Sequence, residues 1–218
     1  MKISLIIPAY NEEKNILRML KKLRLLLKNE KDKWEILIIN DGSTDNTLGI
    51  LKNYKPKFFK IISYKKNKGK GFAVKKGVKE ATGDYICFID SDLAYSFDNL
   101  KNLLSYLENF EVVIGSRNLE TDNHENISTL RRIFGKGFNI LSNIILGYRI
   151  KDTQCGLKAF KKEAAERLFS KQTLNGWGFD TEILYLAKKK NYKIKEVKAV
   201  VLKEYGRSEE HTSELQSR

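Results

Sequence analysis

Residues 3–12 read Ile3-Ser4-Leu5-Ile6-Ile7-Pro8-Ala9-Tyr10-Asn11-Glu12: a short apolar run, a proline, and then a polar opening to an amphipathic stretch. The apolar run suits a buried strand. The stretch after it puts Ile16, Leu20, Leu23 and Leu27 on one face, which predicts a helix over 12–27 with Asn11 as its cap and Glu12 and Glu13 in its opening turn. The same alternation returns along the first half of the chain. Residues 35–39, 59–63 and 85–89 read as further buried strands, with helices after Thr44 and after Gly71. A βαβαβαβ order predicts an α/β fold, with a mostly parallel, Rossmann-like central sheet flanked by helices. Its ligand crevice lies at the carboxyl ends of the strands. A helix over 96–107, a strand near 112–114, helices over 161–169 and 181–189 and a closing strand near 195–202 extend the unit.

With 218 residues and 41% hydrophobic content, the chain suits one domain over residues 1–206. Residues 207–218, RSEEHTSELQSR, lose the Lys- and Ile-rich character of everything before them and read as a foreign, adapter-derived tail in place of a genuine C-terminus, so that the chain is expected to be either peripheral to a membrane or anchored by a missing C-terminal segment. The formal charge is +14, and leaving out the tail's two arginines and three glutamates makes it +15. Such a balance suits nucleic acid, an anionic membrane or phosphorylated substrates, and equally a solvated lysine-rich surface. Nucleic acid is disfavoured as a partner, because the aromatics fall mostly in strands and on apolar helix faces rather than among the basic residues. Cys87 and Cys155 form neither a CxxC pair nor a disulfide framework, which places the chain in a reducing cytosol. Outside the tail only His124 remains as histidine, which argues against a histidine zinc site or a Ser-His-Asp triad. Ile133, Phe134, Phe138, Leu141, Ile144 and Ile145 recur at helical spacing beside Arg131, Arg132 and Lys136; that face lies either in the core or on a bilayer.

Four loops carry candidate chemistry. In Pro8-Ala9-Tyr10-Asn11-Glu12 a tyrosine can stack on a base and Glu12 can accept from a ribose hydroxyl, although Asn11 and Glu12 are also plain helix openers. Residues 40–47, NDGSTDNT, make a turn into a capped helix, and Asp41 just beyond a strand can accept from a nucleobase edge. In Asn67-Lys68-Gly69-Lys70-Gly71 the glycines allow close backbone approach to a phosphate, and lysines such as Lys70 supply charge at a helix start. Neither the Walker loop nor GxGxxG is present, which removes support for kinases, ATPases and NAD enzymes. Asp90-Ser91-Asp92 ends a strand, where alternate carboxylates can hold one Mg²⁺ or Mn²⁺ that neutralises a departing diphosphate.

Together these segments resemble the inverting family 2 glycosyltransferases: PAYNE at 8–12, NDGSTDNT at 40–47, NKGKG at 67–71 and DSD at 90–92. GSR at 115–117, DTQCG at 152–156 and WGFDTE at 177–182 are similar to the dolichyl-phosphate hexose synthase branch. The resemblance implies an A-type glycosyltransferase fold. It implies a nucleotide bound by Pro8, Tyr10, Glu12 and Asp41, with metal and donor diphosphate at Asp90 and Asp92. Arg117, with Arg131 or Arg132, would grip the acceptor phosphate. The family commonly has Asp-Ala-Asp where this chain has Asp-Ser-Asp. The reaction implied is transfer of glucose, or next mannose, from UDP-glucose or GDP-mannose to a polyprenyl phosphate at the cytoplasmic face of a membrane. A phosphate acceptor is already anionic and needs no strong base. The alternative, a sugar hydroxyl, needs one, and Asp180 lies where hydroxyl-glycosylating relatives place theirs, unless it merely opens a helix.

Overall fold

The computed structural model describes residues 1–28, 30–54, 59–119 and 150–201. Strands β1 (Lys2–Ala9), β2 (Lys33–Asp41), β3 (Phe59–Tyr64) and β4 (Tyr85–Ile89) are joined by helices α1 (Ile16–Leu27), α2 (Thr47–Tyr54) and α3 (Lys70–Glu80). They run parallel in the order β3-β2-β1-β4, as the alternation of apolar runs and amphipathic stretches predicts. Next come α4 (Phe97–Ser105), a 3₁₀ turn (Tyr106–Glu108) and β5 (Val112–Ser116), then β6 (Leu157–Lys161), α5 (Lys162–Lys171), α6 (Phe179–Lys189) and β7 (Ile194–Lys198).

The complete order is β3-β2-β1-β4-β6-β5-β7, and β6 alone runs antiparallel to its neighbours. Alternate residues of each strand enter opposite layers. On one side Ile3, Leu5 and Ile7 pack with Leu20, Leu23 and Leu103 of α1 and α4. On the other, Ile6 and Phe88 pack with Val74, Phe169, Phe179 and Ile183 of α3, α5 and α6.

One detail of register places the crevice. Pairing of β1 with β2 continues to Ala9 and Asn40, whereas pairing of β1 with β4 ends at Ile6 and Phe88. Pro8, two residues on, has no N–H to offer a further rung. The sheet therefore opens between the carboxyl ends of β1 and β4, where chain order reverses and α/β sheets take ligands.

Three expectations need correction. Helix α1 starts at Ile16 and not at Glu12; Asn11 takes a left-handed φ of 53° and leaves the helical path, so it caps nothing. The closing strand stops at Lys198. Strand β6 is absent from the sequence reading: it is five residues long, carries Lys158 at a buried position and passes straight into α5. The expected helix over 133–145, Arg131, Arg132 and the tail lie outside the described residues. Among the described residues no helix is long and apolar enough to cross a membrane.

Candidate active site

The loops after β1 and β2 are cross-stitched. Asn11 Oδ1 accepts from the Thr44 N–H at 2.9 Å, and the Asn11 N–H donates to Ser43 Oγ at 3.0 Å. The Glu12 N–H donates to Thr47 Oγ1 at 2.8 Å, the Glu13 N–H to Asp45 at 3.0 Å, and Glu13 accepts from the Asn46 N–H at 2.9 Å. These bonds are the physical reason the helix starts late: residues 11–13 spend their polar groups on the neighbouring loop. Glu12 also reaches across the crevice, where its Oε1 accepts from Ser91 Oγ at 2.8 Å while Oε2 accepts from Asn15 at 3.2 Å. Ser91, the departure from Asp-Ala-Asp, thus ties the end of β4 to the end of β1. Pro8 is buried inside β1 and Tyr10 sits half-buried at its exit.

Asp41 is buried at the end of β2, and its carboxylate accepts from the N–H groups of Lys68 at 2.8 Å and Gly69 at 2.9 Å and from Asn67 Nδ2 at 3.2 Å. The backbone cradle at the start of α3 therefore holds the chain's own carboxylate rather than standing open for a phosphate, which revises the role expected for residues 67–71. Close approach is nevertheless why glycine is required there. Gly69 has φ +98°, and a Cβ on it would lie 2.5 Å from the Asn175 carbonyl oxygen. Burial, and then the Asp41 carboxylate beside it, push the Tyr64 hydroxyl pKa up. Lys68 is turned aside over the Phe72 ring, 4.5 Å from its centroid.

At the end of β4, Asp90 Oδ1 meets Lys70 Nζ at 2.5 Å. The Lys70 side chain is largely buried, with 11% of its surface exposed. Burial pulls its pKa down, but the charges of Asp90, Asp180 and Asp92 outweigh that and hold it above the ordinary lysine value. Asp90 thus touches the ammonium, while Asp180 and Asp92 act on it through their charge alone. Asp92 Oδ1 also accepts from the Ala94 N–H at 3.0 Å. Asp90 remains 32% exposed, enough for a ligand to reach it. Among the described residues no cluster of three or more metal-ligating side chains occurs. Two adjacent carboxylates are nonetheless a donor set that fits Mg²⁺ or Mn²⁺, which completes its shell with water and substrate phosphate oxygens. The Trp177 ring, 66% exposed, has Lys70 Nζ 4.9 Å from its centroid.

The segment Asp152-Thr153-Gln154-Cys155-Gly156 supports this centre from below. Asp152 binds Arg117 through Nε at 2.6 Å and Nη2 at 2.9 Å and also accepts the Arg117 N–H at 3.1 Å. Hydrogen bonding to Asp152 holds the Arg117 pKa above its ordinary value despite burial. One edge of the guanidinium is therefore committed inside the protein. Cys155 is buried against Tyr95, with Sγ 3.3 Å from the hydroxyl. Gly156 lies directly under Asp90: a Cβ there would stand 2.1 Å from Oδ2.

Asp180 is neither a cap nor an open carboxylate. It sits inside the first turn of α6, whose cap Gly178 has no side chain, and is 2% exposed. Its Oδ1 is 2.5 Å from the Nζ of fully buried Lys158, which also donates to the Cys155 carbonyl at 2.7 Å. Sequence reasoning missed Lys158 because a lysine in a Lys-rich chain gives no sign of burial. It missed Gly156 because nothing in the motif names the carboxylate that the glycine must clear.

The family model for Glycosyl transferase family 2 matches residues 4–169. Over 206 residues the chain is 38% identical to a dolichyl-phosphate beta-glucosyltransferase of Trichomonas vaginalis, covering 88% of this chain and 61% of that protein. The protein of that name from Saccharomyces cerevisiae is 38% identical over 218 residues, with 89% and 65% covered. The chain thus spans less than two thirds of the length of these curated relatives. Among solved structures, glucosyl-3-phosphoglycerate synthase from Mycobacterium tuberculosis, in complex with Mn²⁺, UDP and glucosyl-3-phosphoglycerate, superposes with a TM-score of 0.72 at 20% identity, covering 97% of this chain and 75% of that one. Mannosyl-3-phosphoglycerate synthase from Rubrobacter xylanophilus gives 0.73 at 17% identity, with 99% and 70% covered. These two share the A-type glycosyltransferase fold with this chain. The matched family model spans β1 to α5 and takes in the loops that form the crevice, so the chain belongs to glycosyl transferase family 2.

Proposed function

We propose that this chain transfers glucose from UDP-glucose to the phosphate of dolichol or another polyprenol, with inversion at the anomeric carbon and with Mg²⁺ or Mn²⁺ held by Asp90 and Asp92. The observation that carries the reading is the engagement of Asp180 by Lys158. A hydroxyl acceptor needs a carboxylate free to take its proton. An acceptor phosphate brings its own negative oxygen and needs only to be held in line. Glucose and UDP are preferred over mannose and GDP because of the names of the curated relatives and the ligands of the solved neighbours.

Each residue then has a task. Pro8 and Tyr10 wall the nucleotide side of the crevice, Glu12, oriented by Ser91, faces the ribose, and Asp41 fixes the 67–69 loop at the base pocket. A divalent cation at Asp90 and Asp92 would neutralise the diphosphate as it leaves. Lys70, charged and immobile, adds positive potential at the same point. Arg117 is pinned along one edge by Asp152 and presents the other edge to the acceptor phosphate. A phosphate oxygen bonds to the anomeric carbon as the bond from that carbon to the diphosphate oxygen breaks, and UDP departs. The lipid acceptor places the reaction at a membrane surface, on the cytoplasmic side, where free cysteines persist.

Incubation of the protein with Mn²⁺, labelled UDP-glucose and polyprenyl phosphate is expected to yield labelled lipid of β configuration. Label entering only a glycan hydroxyl would overturn the assignment.

A further inference from the structure

The segment between α5 and α6 turns its polar groups inward. The Glu182 carboxylate accepts from the Thr173 N–H at 2.8 Å, from Thr173 Oγ1 at 2.7 Å and from the Leu174 N–H at 2.8 Å. The Leu174 carbonyl accepts from Gln172 Nε2 at 2.6 Å, and the Asn175 carbonyl accepts from the Phe72 N–H at 3.1 Å. Exposed beside Thr173 and Asn175 are two large apolar side chains. Leu174 is 49% exposed and Trp177 66%, two of the few large apolar side chains so exposed among the described residues. The Trp177 indole is not loose, because it is held against the Lys70 ammonium, which is itself fixed by Asp90.

An apolar pair on a stapled loop, beside the centre where the proposed reaction joins sugar to phosphate, suits a ligand that is anionic at one end and hydrocarbon at the other. Resting on the acceptor assignment proposed above, we infer that Leu174 and Trp177 grip the isoprenoid chain of the acceptor just behind its phosphate. A hexose would find few fixed partners in the loop backbone: its hydroxyls need directional donors and acceptors, and the Thr173 and Leu174 N–H groups, the Thr173 hydroxyl and the Leu174 and Asn175 carbonyls are already taken. An indole face, in contrast, buries a large apolar area against isoprene units without requiring any hydrogen bond.

The test compares wild type, Trp177→Ala and Trp177→Phe with two acceptors of identical head group, a short prenyl monophosphate and a long polyprenyl monophosphate, in the same detergent. For Trp177→Ala the acceptor KM is expected to rise about tenfold with the long chain, the scale of losing one aromatic contact, so that the preference for long over short narrows. The KM for UDP-glucose should stay within about twofold, a change worth well under 1 kcal/mol. Trp177→Phe should recover most of the loss. An unaltered chain-length preference would overturn the inference, as would a raised donor KM, which would assign the ring to the hexose. Wild-type protein that glucosylates neither acceptor would instead retire the acceptor assignment itself.

Discussion

Gly156→Ala is expected to lower turnover at least a hundredfold while the protein stays folded. The new methyl would stand 2.1 Å from Asp90 Oδ2 and 2.6 Å from Cγ, so the carboxylate must swing away. For the fold this is cheap, since the obstructing atoms belong to the end of a side chain that is 32% exposed. For the site it is not. The swing breaks the 2.5 Å contact with Lys70 and carries one of the two proposed cation ligands off its position. A displacement of about 1 Å in a reacting constellation costs on the order of 10²-fold. Steady-state transfer of labelled glucose and a thermal melt measure the two halves. Gly176→Ala is the control, with nothing within 4 Å of its added methyl, and should leave both unchanged. Full activity in Gly156→Ala would mean that Asp90 has no fixed task.

The second large effect is on stability. Lys158 and Asp180 lie 2.5 Å apart with side chains 0% and 3% exposed, so removing either charge leaves the other in the core without its hydrogen-bonded ion partner. Breaking a buried pair in this way costs about 3–5 kcal/mol, whereas replacing both members with apolar residues is often neutral or better. Lys158→Met and Asp180→Asn are each expected to lose that amount in urea unfolding. The double substitution Lys158→Met with Asp180→Leu should be markedly more stable than either single one. Asp180→Asn with wild-type stability and no activity would contradict this reading and restore Asp180 as a base for a hydroxyl acceptor.

These two residues also mark where the sequence stops being legible. The parallel half of the sheet can be read directly, because 3–7, 35–39 and 85–89 are largely apolar runs buried on both faces, with helical stretches between them; 59–63, on the edge strand β3, is only partly buried, against the expectation of a buried strand, and is marked mainly by Phe59, Ile61 and Ile62. The loops at the carboxyl ends follow from that order, and so does the convergence of residues after β1, β2 and β4. The bonds inside those loops do not follow. Asn11 and Glu12 look like helix openers in one dimension, and only the adjacency of β1 and β2 shows that residues 43–47 claim them. Asp41 looks like a base acceptor until the 67–69 loop, 26 residues or more along the chain, folds its N–H groups onto it. Strand β6 is hidden because it enters from the far half of the chain, runs against its neighbours and carries a lysine whose partner is 22 residues away. Long-range pairing of this kind leaves no periodic trace.

The claim underlying every step is that Asp90 and Asp92 bind a sugar nucleotide through a shared divalent ion. Isothermal titration of UDP-glucose into the wild-type protein with Mn²⁺, with chelator, and into Asp90→Asn and Asp92→Asn with Mn²⁺ tests it directly. Saturable uptake that requires the cation and disappears in both variants is the expected result. Uptake of equal strength with chelator present, or undiminished in the two variants, would contradict it.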